Sequence, residues 1–253
     1  MDNLSVVQRI MQMKNATLTR KQRRTLNELP WELQARPTQL IPRDTLWNLW
    51  IYSGGRGSGK TRTGAEAVVD FAEKNPKSRI LIVARTVADI RETILEGESG
   101  ILSLYRNRNG QAPTYKPSIR RLTWPNGTDA FITSADEPDS LRGTQAHFAW
   151  MDEASSMRVT DDGKLTALEN LRLATRLGDQ PRVIVTTTPN ETPALEMLHE
   201  FLLRDPLGVR LSEDSTFNNE ASLGEYYLDA IKTVYEGTSL QRSQLDGTWP
   251  WPL

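Results

Sequence analysis

The chain has 253 residues, no cysteine, and 31 basic against 32 acidic side chains, for a formal net charge of −1. The lack of cysteine excludes disulfides, thiolate metal sites and cysteine nucleophiles, and no apolar run is long enough to span a bilayer. A near-zero total is awkward for a uniformly basic nucleic-acid surface but permits local clusters, here Arg20-Lys21-Gln22-Arg23-Arg24, Arg106-Asn107-Arg108 and Arg120-Arg121.

Residues 1–14 lack the apolar centre of a signal peptide. Residues 1–30 read as one or two polar helices, with Leu4, Val7, Ile10 and Met11 forming an apolar stripe suited to docking onto a main domain. Pro30, Pro37 and Pro42 break regular structure across 31–43, a connecting segment that carries Trp31, Gln34, Arg36 and Gln39. An apolar strand over 47–53 then runs into Gly54-Gly55-Arg56-Gly57-Ser58-Gly59-Lys60-Thr61, and a helix-forming run occupies 62–73. The apolar run 79–84 has the composition of a strand buried on both faces. Helical patterns follow over 87–95 and 100–106, and Asn126-Gly127 between the β-prone runs 119–124 and 129–134 marks a hairpin.

A loop over 135–145 leads to a third buried strand, 147–151, which ends in Asp152-Glu153. The helix 165–175 has Leu165, Leu168, Leu171 and Leu173 as its expected buried positions. A fourth strand, 182–186, stops at Thr187-Thr188-Pro189, and a helix over 194–203, a strand over 208–211 and two helices over 223–235 and 239–245 complete the chain. Alternating strands and helices predict an α/β fold whose mostly parallel sheet is covered on both faces. Three regions result: a helical arm at 1–30, a core at 31–212 and a C-terminal helical part at 213–253.

The segment from Gly54 to Thr61 matches the phosphate-loop pattern G-x-x-x-x-G-K-[ST] in its proper strand-to-helix setting. Gly55, Gly57 and Gly59, with Ser58, let successive backbone N–H groups turn toward a phosphate, where a helix N-terminus adds partial positive charge. Lys60 is placed to reach the β- and γ-phosphates of ATP, and Thr61 to offer its hydroxyl to Mg²⁺. Hydrolysis also needs a carboxylate for the metal and a base for the attacking water, which Asp152 and Glu153 supply at a strand end. Thr187 and Thr188, also at a strand end, can sense the γ-phosphate and pass its state onward. Arg56, Arg85 and Arg142 are each available to neutralise charge on the transferred phosphoryl group, or to form a structural ion pair. The amide of Gln39 offers donor and acceptor side by side, matching the N6 and N7 edge of adenine.

Taken in order, Ala35-Arg36-Pro37-Thr38-Gln39, the phosphate loop continuing through Arg62 to Glu66, Ala84-Arg85-Thr86, Ser140-Leu141-Arg142-Gly143, Met151-Asp152-Glu153-Ala154 and Thr187-Thr188-Pro189 resemble the large terminase subunit of tailed bacteriophages. The resemblance spans about Trp31 to Trp249. It implies a P-loop NTPase of the ASCE, RecA-like type with an inserted β-hairpin and helical additions at both ends. It further implies an ATP- and Mg²⁺-dependent motor that translocates double-stranded DNA into a procapsid from the bacterial cytoplasm. The implied partners are other copies in a ring, taken as a pentamer, together with the portal protein and the small terminase subunit, with no membrane.

By the same resemblance Arg36, Gln39, Gly55, Arg56, Gly57, Ser58, Gly59, Lys60, Thr61 and Arg62 contact nucleotide, and Thr61 and Asp152 hold the metal. Glu153 is the catalytic carboxylate, assisted by Lys60, Arg56 and Arg142, the last favoured to act across a subunit boundary. Thr187 and Thr188 form the coupling element. The nuclease domain usual in the family is expected to be absent. A helicase-like translocase or a non-catalytic nucleotide-binding assembly module are the alternatives on the residues alone.

Overall fold

A computed structural model describes residues 29–106, 110–159 and 166–253. The helical arm over 1–30, the cluster from Arg20 to Arg24, Arg108 and Leu165 therefore fall wholly or almost wholly outside the described residues. Eight strands form one sheet in the order β3-β4-β5-β2-β6-β7-β1-β8. They are β1 Leu49–Gly54, β2 Arg79–Ala84, β3 Thr114–Lys116, β4 Arg121–Thr123, β5 Asp129–Ser134, β6 Phe148–Met151, β7 Arg182–Thr187 and β8 Val209–Asp214. The six strands from β5 to β8 run parallel, and β3 and β4 extend the β5 edge antiparallel.

The strand pattern explains the layering. Along β1, Trp50 and Tyr52 face one side and Leu49 and Ile51 the other, and every residue is buried. Alternate residues of β2, β6 and β7 divide in the same way, giving one core per face. Fully burying each such side chain contributes roughly 1.5–3 kcal/mol, so central strands without polar faces are stable only when helices cover both sides. The helix Lys60–Lys74 covers the first face, and Ala167–Ala174 and Pro193–Arg204 cover the second.

Close packing of Lys60–Lys74 depends on its small residues. A Cβ added to Gly64 would lie 2.0 Å from Cε2 of the fully buried Trp150 indole. The helix starts at Gly59, whose φ of +91° lies in the left-handed region that glycine enters without penalty. It ends at Asn75, whose amide donates back to Phe71 O at 2.8 Å.

Most expected elements are present, with local differences. The pattern over 87–95 is a short helix, Val87–Asp89, running into a π-helical turn, Ile90–Leu95. The stretch 239–245 forms only the turn Arg242–Asp246. The strand expected at 208–211 continues to Asp214, because Gly54 still pairs with it there, and so crosses the boundary placed at 212. Strand β3 was not foreseen. Leu173 is exposed, contrary to expectation, because Leu168 and Leu171 take the inward face of their helix and Leu173 lies off that stripe. No described helix is long and apolar enough to cross a membrane.

Candidate active site

The parallel strands bring the ends of β1, β6, β7 and β8 to one edge of the sheet, where a cleft of about 1140 Å³ opens. Strand β7 lies between β1 and β6, so Thr186 and Thr187 at its end, and Thr188 just beyond, stand beside both the phosphate loop and the two acids. Lys60, Thr61, Asp152, Glu153 and Thr188 all line this cleft. The Lys60 ammonium donates to Gly54 O at 3.1 Å and Gly55 O at 3.0 Å and lies 3.4 Å from Glu153 Oε1.

Glu153 adopts φ +51°, ψ +53°, a left-handed conformation that costs a β-carbon-bearing residue roughly 1–3 kcal/mol. The turn after β7 holds it there: the Thr188 N–H donates to Oε2 at 3.3 Å, and the Thr188 hydroxyl approaches the same oxygen at 3.2 Å. Thr187 does not touch the carboxylate. Its hydroxyl accepts the Ser155 N–H at 3.0 Å and so braces the turn that follows Glu153.

Asp152 is buried at the end of β6. Thr186 donates to its Oδ1 at 2.5 Å, and Thr61 lies 3.3 Å from Oδ2. Burial is the main cause that pushes its carboxyl up to about 6, with the Glu153 charge adding to it. The hydroxyls of Thr186 and Thr61 and the Lys60 charge oppose the shift. The indole N–H of Trp150 donates to Thr186 Oγ1 at 2.9 Å, so the core aims the hydroxyl that holds Asp152.

Among the described residues no group of three or more His, Cys, Asp or Glu is arranged as a metal cage. One hydroxyl and one buried carboxylate instead suit a hard cation that keeps waters and takes substrate phosphate oxygens, the habit of Mg²⁺. Ser58 Oγ, also in the loop, is buried without a hydrogen-bond partner.

The remaining expected residues divide between the cleft and its surroundings. Gln39 is buried beside the loop, but its amide already accepts the Arg36 N–H at 3.1 Å and donates to Thr63 Oγ1 at 3.0 Å. Arg36 pairs with Asp214 at 2.7 Å. Arg62 lines the cleft, pairs with Glu66 at 2.8 Å and lies over the Trp31 ring. Arg56 donates to Gln244 Oε1 at 2.7 Å, and Gln244 donates in turn to Asn190 Oδ1 at 2.6 Å. Arg85 lies on the cleft wall, whereas Arg142 is outside the lining, half-exposed and paired with Asp139 at 3.2 Å. Reading the sequence missed Tyr52, Asp214, Thr216, Asn219 and Gln244, which surround the loop. No local signal joins them, since they come from β1, β8, the turn Thr216–Ser222 and the turn Arg242–Asp246.

No curated protein matches the sequence. Solved structures with the same fold include the large terminase of a thermophilic bacteriophage in complex with ADP, at TM-score 0.66 and 14% identity over 89% of this chain and 52% of that one. The large terminase ATPase domain of Thermus phage P74-26 aligns at TM-score 0.59 and 16% identity over 93% of this chain and 100% of that one. The large terminase of bacteriophage HK97 aligns at TM-score 0.58 and 17% identity over 80% of this chain and 47% of that one. This chain thus spans about half the length of the first and the last of these three proteins. The family model for the terminase large subunit, T4-like virus type, N-terminal, matches residues 51–251, and the chain belongs to that family.

Proposed function

We propose that this chain is the ATP-hydrolysing motor part of a viral terminase large subunit, which uses Mg²⁺ and ATP to drive double-stranded DNA into a procapsid. One observation carries the hydrolytic half of this reading: Glu153 is held in a strained backbone by Thr188, with its carboxylate 3.4 Å from the phosphate-loop lysine. A surface acid has no need of that strain, whereas a base aimed at a reacting water does.

In this reading the Lys60 ammonium leaves the Gly54 and Gly55 carbonyls to meet the phosphates. Thr61 and Asp152 hold Mg²⁺, which when bound neutralises charge on the phosphate oxygens. Glu153 accepts a proton from water as its oxygen attacks the γ-phosphorus. The bond from that phosphorus to the β-bridging oxygen breaks, and ADP and phosphate leave. Thr188, bonded to the base, is placed to transmit the change to the segment after β7, with Thr187 bracing the turn. Arg56 and Arg142 are the candidate cations for the transferring group, Arg142 from a neighbouring copy.

Family membership supports double-stranded DNA, a ring of copies, the portal and the small subunit as partners and action in the host cytoplasm, and the core of the chain extends in this reading through β8 to Asp214. A helicase-like reading is disfavoured because the family model that matches residues 51–251 is that of the terminase large subunit. Phosphate release from the full chain, with and without duplex DNA, tests the proposal. ATP turnover stimulated by blunt duplex is the expected result, and absence of turnover under both conditions would remove it.

A further inference from the structure

Three consecutive carbonyl oxygens of the phosphate loop each accept a side-chain hydrogen bond from outside the loop. Thr216 Oγ1 donates to Arg56 O at 2.7 Å, Asn219 Nδ2 donates to Gly57 O at 2.7 Å, and Arg36 Nη2 donates to Ser58 O. Two of the donors are themselves linked. Arg36 Nη1 donates to Asn219 Oδ1 at 3.0 Å, while its Nε and Nη2 meet Asp214 Oδ2 at 2.9 and 2.7 Å. Asp214 is fully buried and also accepts from Tyr52 at 2.6 Å, Thr38 at 3.0 Å and Asn218 at 2.7 Å. Burial alone would raise its carboxyl, but the bonds from Arg36, Tyr52 and Asn218 and the Arg36 charge hold it below the ordinary value.

A planar trans peptide points the N–H of the next residue opposite to its carbonyl. Tying Arg56 O, Gly57 O and Ser58 O on one side therefore fixes the N–H groups of Gly57, Ser58 and Gly59 on the other. The Ser58 N–H closes a turn onto Gly55 O at 3.2 Å, and those of Gly57 and Gly59 have no partner among the described residues. Gly57 and Gly59 sit at φ +73° and +91°, and a glycine-rich loop left to itself spreads over many conformations.

We propose that Thr216, and Asn219 backed by the Arg36–Asp214 pair, are positioning residues that preset the phosphate loop for a nucleoside diphosphate or triphosphate. This rests on the reading that the loop binds nucleotide. Its energetic basis is preorganisation: ordering is completed on folding, so less is lost when the anion arrives.

ADP titrated calorimetrically into the full chain tests it. Thr216→Val keeps the shape and loses the hydroxyl, and Thr216→Ser keeps the hydroxyl and loses a methyl group. If positioning is the role, valine weakens ADP binding about tenfold, one net hydrogen bond, and serine stays within about twofold. A packing role reverses that ranking, and the reverse ranking overturns the proposal. Should the valine variant fail to fold, the partly exposed Asn219→Ala decides: about tenfold weaker ADP binding supports the role, and unchanged affinity overturns it. Wild-type protein that binds no ADP instead removes the nucleotide reading itself.

Discussion

At the scale of single residues, two adjacent carboxylates sit in different surroundings, and the proposed function gives them different tasks. Asp152 is enclosed, whereas the Glu153 side chain is 43% exposed and can reach solvent water. Glu153→Gln preserves size and most contacts but removes the proton acceptor. Turnover should fall by about 10²–10⁴-fold, while ADP affinity stays near the wild-type value; steady-state phosphate release beside calorimetry checks both. Asp152, whose folded carboxyl titrates at about 6, must lose its proton before it can serve a cation. Affinity for Mg²⁺-ADP should therefore decline below about pH 6, approaching tenfold per pH unit, and level off above it. Asp152→Asn should bind weakly and without that slope, and a flat wild-type profile between pH 5 and 7 would sink the assignment. The same shift makes a stability statement of defined sign. Protonated Asp152 favours the folded chain, a contribution complete below the unfolded value of 3.8 and lost as pH rises through about 6. Asp214, lowered on folding, acts oppositely: its contribution is present above the unfolded value and lost as pH falls through the folded one.

At the scale of elements, the helix after the loop and strand β6 are fitted at one glycine. Gly64→Ala improves intrinsic helix propensity by up to about 1 kcal/mol. It also drives a methyl group to 2.0 Å from the middle of the Trp150 ring system, which is fully buried and cannot swing away. Overpacking of this kind costs typically ~1–3 kcal/mol, sometimes more, so a net loss of about 2 kcal/mol is expected in urea unfolding. Wild-type stability in the variant would contradict this packing account. Because the same indole aims Thr186 at Asp152, weaker Mg²⁺-ADP binding should accompany the lost stability.

How far the sequence could be read depended on how local each signal was. Strands β2 and β7 were legible as continuous apolar runs, and the hairpin as Asn126-Gly127, where Gly127 takes φ +86°. Strand β3 has no buried residue and so left no pattern to find. The lysine and the acid pair were visible because short motifs encode them. The Asp214 cluster was not, since Arg36 and Tyr52 reach it across 178 and 162 residues of chain and only the folded sheet joins them.

At the scale of the whole molecule, the residues proposed for phosphate, metal and base all line one cleft of a single chain, while Arg142 stands apart from it. Its bond to Asp139 is a surface ion pair three residues away, with both side chains about half or more exposed, and such pairs contribute little. Gly143, at φ +76° with open space around its Cβ position, follows it directly. Arg142 is thus a charged side chain on an exposed turn, released at small cost to a neighbour's cleft. A head-to-tail ring makes such a contact at every interface, because one face of each copy meets a different face of the next. If Arg142 serves the neighbouring site, Arg142→Ala and Lys60→Ala proteins should each be inactive alone. Mixed in equal amounts, they should recover about a quarter of the wild-type rate, since about one interface in four pairs an intact lysine with an intact arginine. An arginine that serves its own cleft yields no recovery in the mixture, because every subunit then lacks one of its own two cations.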